Sequence, residues 1–322
     1  MKYQDFTSKV KKAIEEYVEE TAIVRLNTIK KNNGVELSGI TIMHEEQNIT
    51  PTVYLEEFYC RYEEGESFGS LVKEIIDISE KNQIKEKFNV SFFSDYEQVK
   101  SNIVFKLVNA KKNEDLLKEI PYIMYLDMAI VFYYLLSDDE IGSASILIYT
   151  SHMDVWGVTA KDLYRQASSN TPRLLGAKIE NMEDIMREIL LSDIQRKCHK
   201  EEQEDESWMQ DMADQMLHQA LNGKESIPMY VLSNQSKHNG ASCLLYHDIL
   251  NEFALKQQKN LYILPSSIHE VILITDNEID NPQNLCEMVK DVNETQVAEE
   301  EVLSDSVYYY DRKKGELEIL NA

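Results

Sequence analysis

Three short polar stretches of the sequence combine the residue types of catalytic and metal sites. These stretches are Ser151-His152-Met153-Asp154, His247-Asp248 and Ser266-Ser267-Ile268-His269-Glu270. A metal centre needs at least three ligands that converge from ordered elements. If residues 151–155 are extended, the side chains of His152 and Asp154 lie on one face of the strand, and both could bind a metal ion. Adjacent side chains in the other two stretches diverge, so each supplies one ligand easily, and the pattern predicts no metal centre and no cofactor.

The third stretch also has the residue types of a hydrolase triad, with Ser266 or Ser267 as nucleophile beside His269 and Glu270. A nucleophile and a base this close on one chain rarely converge unless the backbone turns sharply. The sequence contains no Gly-x-Ser-x-Gly elbow that would supply such a turn. A hydrolase or metal-dependent enzyme that uses His152, Asp154 and His269 is therefore the alternative hypothesis, and it requires these three side chains to meet in one pocket.

Two further positions could carry chemistry. Asp127 lies inside an apolar run, where a buried carboxylate with a raised pKa would be a candidate general base. Such a residue more commonly marks a bulge or the start of a strand. Asn239-Gly240-Ala241-Ser242 leads from a loop into a predicted helix and could present backbone N–H groups to an anion, but without a Gly-x-x-x-x-Gly-Lys motif it indicates only the start of a helix.

The elements that must position these residues begin with a small helix-plus-hairpin domain. Apolar residues at three- and four-residue steps predict an amphipathic helix over residues 3–20. Two extended stretches flank Asn32-Asn33-Gly34, whose Asn-Gly pair readily supplies the positive φ angles of a type I′ turn. Helical spacing at 55–62 and 68–78 completes the unit. We predict an N-terminal domain over residues 1–83 and a C-terminal domain over residues 84–322.

The larger domain is predicted to be a mixed sheet flanked by helices, which makes the fold class α+β. Apolar stretches at 128–136 and 144–149 predict a hairpin in a central position with both faces covered. Thr159 is a predicted helix N-cap with Asp162 at the third helical position. Helices at 181–198 and 207–221 flank an acidic, exposed connection near 199–207. Strands and helices then follow one another from residue 229 to a closing hairpin at 307–320.

Charge is concentrated in the C-terminal third. The chain of 322 residues has 33 Lys and Arg against 57 Asp and Glu, a formal charge of −24. Residues 265–305 contain many acids and one base, Lys290. If Asn281-Pro282 starts a helix with a buried stripe of Leu285, Met288, Val289 and Val292, then one solvent-facing ridge contains Glu287, Asp291 and Glu294. The ridge is either a solvated face without a role or a docking surface for a basic protein.

Composition excludes several classes of protein. A charge of −24 argues against direct binding of duplex nucleic acid, because affinity for phosphates comes mostly from Lys and Arg. The longest apolar run, residues 122–136, contains Asp127 and is too short for a membrane span, so we expect no membrane association. Four widely spaced cysteines predict reduced thiols, and the N-terminus has no apolar signal segment. These features predict a soluble, cytoplasmic protein.

Several sequence blocks resemble a known family. They are Lys31-Asn32-Asn33-Gly34-Val35-Glu36-Leu37-Ser38-Gly39-Ile40, Pro51-Thr52-Val53-Tyr54-Leu55 with Phe58-Tyr59, Trp156-Gly157-Val158, Pro265-Ser266-Ser267-Ile268-His269-Glu270-Val271 and Leu303-Ser304-Asp305 with Val307-Tyr308. The blocks are similar to those of domain of unknown function 5688, a family of uncharacterised Firmicutes proteins. The resemblance extends over nearly the whole chain. It implies no activity, cofactor or catalytic residue.

The leading functional hypothesis is therefore a non-enzymatic interaction or regulatory protein. It follows from the missing catalytic signatures and from the acidic ridge of Glu287, Asp291 and Glu294. A narrower version is an inhibitor that occupies the nucleic-acid groove of a basic protein.

Overall fold

The computed structural model describes residues 1–19, 21–44, 50–83, 90–138, 142–198, 206–220, 227–265 and 267–320. Within these ranges the chain forms α-helices and antiparallel sheets, so the predicted α+β class is confirmed. The helices are α1 Tyr3–Tyr17, α2 Glu56–Glu63, α3 Phe68–Lys81, α4 Tyr96–Val99, α5 Glu114–Leu117, α6 Thr150–Trp156, α7 Ala160–Leu175, α8 Met182–Cys198, α9 Glu206–Ala220, α10 Ile249–Gln257 and α11 Gln283–Thr295.

The strands form three sheets. They are β1 Ile23–Lys30, β2 Glu36–Met43, β3 Val53–Tyr54, β4 Ile103–Asn109, β5 Tyr122–Tyr125, β6 Met128–Asp138, β7 Gly142–Leu147, β8 Lys178–Asn181, β9 Met229–Ser233, β10 Leu261–Leu264, β11 Val271–Thr275, β12 Tyr308–Asp311 and β13 Glu316–Ile319. The sheet orders are β1-β2-β3, then β4-β6-β5 with β7 also on β6, and β13-β12-β10-β11-β9-β8. Every strand pair between described residues is antiparallel, so two antiparallel sheets replace the predicted mixed sheet.

The N-terminal elements enclose a hydrophobic core of their own. Side chains from α1, the three-stranded sheet, α2 and α3 pack together, with Phe6 and Ile75 fully buried. Asn33 and Gly34 have φ angles of 60° and 73°, as the predicted type I′ turn requires. The division into domains over residues 1–83 and 84–322 stays a prediction, and residues 84–89, where the boundary is placed, lie outside the described ranges.

The remaining elements share a larger core between two sheets. Strand β6 is the centre of the four-stranded sheet, and its residues 128–134 are buried on both faces, as its apolar sequence predicts. The side of this sheet that carries Phe105 and Phe132 packs with α7, α10 and the six-stranded sheet. Val108, Ala129 and Val131 lie on its other side in a smaller cluster. That other side faces the β1–β2 hairpin.

Local capping explains several helix ends. The Thr159 side chain accepts a hydrogen bond from the Asp162 N–H and the Asp162 carboxylate accepts one from the Thr159 N–H, which confirms the predicted cap of α7. The helix predicted from residue 242 begins later, at Ile249, because residues 240–245 form a 3₁₀ helix. Most of the predicted acidic connection, residues 199–205, lies outside the described residues. Among the described helices, none combines the length and apolar composition needed to cross a bilayer.

Candidate functional site

His152 and Asp154 lie on helix α6, so the expectation that residues 151–155 are extended is wrong. Residues two positions apart on a helix point about 200° apart, and the two side chains therefore do not share a face. His152 Nδ1 accepts a hydrogen bond from the Tyr149 N–H at 3.1 Å, and its ring packs edge-on against Phe93. Burial lowers the pKa of His152. The Asp154 side chain is exposed.

His269 forms hydrogen bonds with Ser233, Asn239 and Glu301, which lie outside its own loop. Its Nδ1 accepts a hydrogen bond from the Asn239 N–H at 3.2 Å, and its Nε2 lies 3.3 Å from Glu301 Oε1. The first contact requires Nδ1 without a proton, so the neutral ring carries its hydrogen on Nε2 and donates it to Glu301. The carbonyl of His269 accepts from Ser233 Oγ at 2.7 Å. Both ring nitrogens of His269 therefore form contacts that hold the loop between β10 and β11 in place.

Ser267 contacts the backbone of His269 rather than its ring. Ser267 Oγ accepts a hydrogen bond from the His269 N–H at 3.0 Å, which is a local turn and not a serine–histidine catalytic pair. Glu270 follows with a partly buried side chain, and Ser266 lies outside the described residues. In the described part of the chain, no group of three or more His, Cys, Asp and Glu residues could hold a metal ion. Catalytic roles for His152, Asp154, Ser267, His269 and Glu270 stay predictions.

Asp127 lies in the turn between β5 and β6 and accepts hydrogen bonds from three hydroxyl groups. Tyr308 donates to Oδ1 at 2.7 Å, and Ser304 and Ser306 donate to Oδ2 at 2.6 and 3.0 Å. Burial, and then the nearby Asp127 charge, raise the pKa of Tyr308. These contacts occupy the oxygens that a general base would use, and they hold the C-terminal segment against the four-stranded sheet.

The tip of the β1–β2 hairpin is fastened to the same C-terminal segment. Asn33 Nδ2 donates to the carbonyls of Glu299 and Val302 at 2.7 and 2.8 Å, and Asn32 Nδ2 donates to the Glu300 carbonyl at 2.7 Å. Asn113 completes the contact, because its Oδ1 accepts from the Asn33 N–H and its Nδ2 donates to Asn33 Oδ1, each at 2.9 Å. Sequence reasoning identified this tip only as a turn.

The predicted ridge on α11 is exposed. Glu287, Asp291 and Glu294 all lie at the surface, and none of them forms a salt bridge with a described residue. Leu285 and Val289 are buried as predicted, but Met288 is exposed, so the predicted apolar stripe is narrower than expected. Asn293 is buried beside that stripe and donates to the Ser304 carbonyl at 2.9 Å.

A cleft of about 500 Å³ separates the hairpin tip from the four-stranded sheet. Val108, Val131 and Leu147 line it from the sheet, together with Lys106 of β4. Sequence reasoning treated β4 only as an apolar strand. The single lysine within the sequence Ile-Val-Phe-Lys-Leu-Val was the signal that could have identified this position.

The three distant sequence blocks that contain Asn33, His269 and Ser304 meet around residues 299–308. This convergence accounts for one junction of the fold and does not reveal a reaction. The family of unknown function DUF5688 matches residues 3–312. No curated protein and no solved structure matches the chain. With nearly its whole length matched, the chain belongs to the DUF5688 family.

Proposed function

We propose that the protein is a non-enzymatic interaction or regulatory protein that docks a basic partner protein on the ridge of α11. The observation that supports this proposal is the set of three exposed carboxylates, Glu287, Asp291 and Glu294, that lack a salt bridge among the described residues. Like charges on one helix face repel each other slightly, and a basic partner removes that cost on binding.

The ridge favours a protein partner over a nucleic acid. Phosphates would meet the net charge of −24, whereas Lys and Arg side chains would be attracted to it. In the narrower form of the proposal, the partner is itself a nucleic-acid-binding protein whose basic groove receives the ridge. A cytoplasmic location and a Firmicutes origin belong to the same proposal, supported by the widely spaced cysteines and by the family resemblance.

The test reverses the charge of the ridge. The variant Glu287→Lys, Asp291→Lys, Glu294→Lys is compared with the natural protein for capture of partners from cells that express it. Captured proteins are identified, purified and measured one at a time by stopped-flow association. We expect a basic partner whose association rate falls by about tenfold or more between low and physiological salt, because steering by exposed charges is screened over a Debye length.

A matched control distinguishes the ridge from net charge. The variant Glu57→Lys, Glu80→Lys, Glu252→Lys reverses three exposed acids on α2, α3 and α10. Both triple variants change the formal charge from −24 to −18. Slower association for the ridge variant alone supports the proposal. Equal rates for the two variants, or capture of the same partners by the ridge variant, contradict it.

The contacts of the candidate catalytic residues do not support the enzyme alternative. His152 caps α6, His269 fastens a loop, and Asp154 is exposed, so none of their contacts favours a shared reaction centre.

A further inference from the structure

The cleft between the hairpin tip and the four-stranded sheet has the character of a small-molecule site. Its volume of about 500 Å³ lies within the range typical of pockets for small organic ligands. One wall comes from the hairpin tip, with Asn32 and Lys31, and the opposite wall comes from β4, β6 and β7. The apolar side chains Val108, Val131 and Leu147 suit an apolar ligand body. A specific ligand also needs a small number of polar anchors.

Lys106 supplies a positive charge among these apolar side chains. Its Nζ has no hydrogen bond and no salt bridge with any described residue, and it lies 6.0 Å from the centroid of the Tyr133 ring. Burial, and then the nearby Lys31, lower the pKa of Lys106. An ammonium group without an anion in such surroundings is costly, and an anionic ligand group would remove that cost.

The other charges around the cleft limit the charge of the ligand. Lys30, Lys31 and Lys112 border it together with Glu36, Asp115 and Glu119, and Asp115 is already paired with Lys118 at 2.6 Å. Counting Lys106, the cleft has one net positive charge on a chain of −24. No arginine borders the cleft, so the forked donor typical of phosphate recognition is missing from this described site. A carboxylate suits these surroundings better than a dianionic phosphate.

Asn32 borders the cleft but does not offer it an anchor. Its Oδ1 is buried and has no hydrogen-bond partner among the described residues. The orientation of the amide is fixed, because Nδ2 donates to the Glu300 carbonyl and a flipped amide would place two oxygens together. Because almost none of the Oδ1 surface is open to a water-sized group, a ligand in the cleft does not reach it, and Lys106 is the polar anchor.

We propose that this cleft binds a small organic acid, with its carboxylate on Lys106 and its apolar body on Val108, Val131 and Leu147. This site is independent of the acidic ridge on α11. The two proposals can therefore fail separately.

The probe is 4-hydroxyphenylacetate, which has a carboxylate and an apolar ring. Binding to the full chain is measured by isothermal calorimetry, and we expect a Kd of about 1 mM for a ligand of this size. Its neutral counterpart, 4-hydroxyphenylacetamide, should bind at least about tenfold more weakly because it cannot neutralise the ammonium group. Inorganic phosphate tests the anion class and should not compete with the acid.

Two lysine variants localise the binding. Lys106→Met keeps an apolar stem of similar length and should weaken binding of the acid by about 10- to 100-fold, as loss of a charged hydrogen bond predicts. Lys259→Met is the matched control, because Lys259 is exposed, forms no salt bridge with a described residue and does not line the cleft. It should bind the acid as the natural protein does.

A second readout does not depend on whether a variant folds. Lysine amines carrying ¹³C-methyl groups are observed by NMR in the otherwise natural chain, and the acid should shift the Lys106 signal and raise its measured pKa. Phosphate or the amide should leave that signal in place. Equal binding by Lys106→Met, equal binding of acid and amide, an unmoved Lys106 signal, or no saturation up to about 10 mM acid would each overturn the proposal.

Discussion

Asp127 and Lys106 belong to the same four-stranded sheet and have opposite surroundings. The Asp127 carboxylate accepts three hydroxyl hydrogen bonds from the C-terminal segment. The Lys106 ammonium has no hydrogen bond or ion pair among the described residues and borders a cleft. The protein therefore provides partners for one charge and leaves the other open. A fully hydrogen-bonded charge stabilises the fold, whereas a charge without a partner in a cleft is a candidate position for binding a ligand.

The largest expected effect on the free energy of unfolding comes from replacing Asp127. Asp127→Ala leaves the buried hydroxyls of Tyr308 and Ser304 without their acceptor, and we expect a loss of about 3 kcal/mol in the free energy of unfolding. Urea denaturation followed by circular dichroism measures it. Asp154→Ala, which removes an exposed carboxylate, should change the same free energy by less than about 0.5 kcal/mol. Similar values for both variants would remove the contrast between the two regions.

The adjacent asparagines of the hairpin tip extend the comparison to neutral groups. Asn33→Ala loses two hydrogen bonds to carbonyls and the one that Asn33 Oδ1 accepts from Asn113, and it places alanine at a φ angle of 60°. We therefore expect a loss of about 2 kcal/mol in the free energy of unfolding. Asn33→Gly tolerates that φ angle and isolates the lost hydrogen bonds. Asn32→Ala removes one bond together with the unpartnered Oδ1 and should cost less than about 1 kcal/mol. A larger loss for Asn32→Ala than for Asn33→Ala would contradict this ranking.

Replacing Lys106 should change the free energy of unfolding little at neutral pH, and the change should depend on pH. The pKa of Lys106 is lower in the folded protein than in the unfolded chain, so the unfolded chain binds more protons between the two values. The unfolding free energy of the natural protein should therefore rise as the pH increases through that interval.

Lys106→Met lacks this contribution. At neutral pH it should be as stable as the natural protein or more stable by about 1 kcal/mol, and this advantage should shrink toward alkaline pH. Denaturation curves at several pH values measure the difference, and Lys259→Met, at an exposed lysine away from the cleft, provides the control. The other titratable groups bordering the cleft are present in both proteins and cancel to first order: Lys30, Lys31, Glu36, Lys112, Asp115, Glu119 and Tyr149. Burial, and then the nearby His269 and Lys106, lower the pKa of His238, so its contribution differs between the two proteins. The comparison therefore runs from neutral to alkaline pH, where an imidazole is largely uncharged. An advantage that grows with pH would show that the Lys106 charge is stabilised.

The smallest effect on stability is expected for the ridge. Glu287, Asp291 and Glu294 are open charges like Lys106, but water solvates them. Reversing all three should change the unfolding free energy by no more than about 0.5 kcal/mol, with the difference shrinking as salt increases. Thermal denaturation at low and high salt measures it. A loss of several kcal/mol would mean that the ridge supports the fold and is not a free docking surface.

The sequence predicted the features that depend on neighbours along the chain. The Asn33-Gly34 turn follows from the preference of these residues for positive φ, and the cap by Thr159 and Asp162 needs only a separation of three residues. The expectation for residues 151–155 was wrong because a cap from Tyr149 and His152 and a left-handed Gly157 define a short helix that residue composition alone does not indicate.

The candidate sites depend on contacts that no local pattern contains. Asp127 was recognised as an unusual carboxylate, but its donors lie 177 to 181 residues away. Lys106 became notable only when the structure placed a cleft above it and no anion beside it. Spacing could identify the ridge because three residues on one helix share a face, whereas a cleft between two units has no repeating pattern along the sequence.

The hairpin tip also constrains the order in which the chain folds during its synthesis. The hydrogen bonds that the Asn32 and Asn33 side chains donate to carbonyls join residues separated by 266 to 269 positions. The elements around Phe6 and Ile75 leave the ribosome early and can form their own core, but the carbonyls that accept these bonds are synthesised almost last. The two side-chain donors therefore wait through most of translation without their carbonyl partners. A chain truncated before residue 299 lacks all three of these bonds at the hairpin tip.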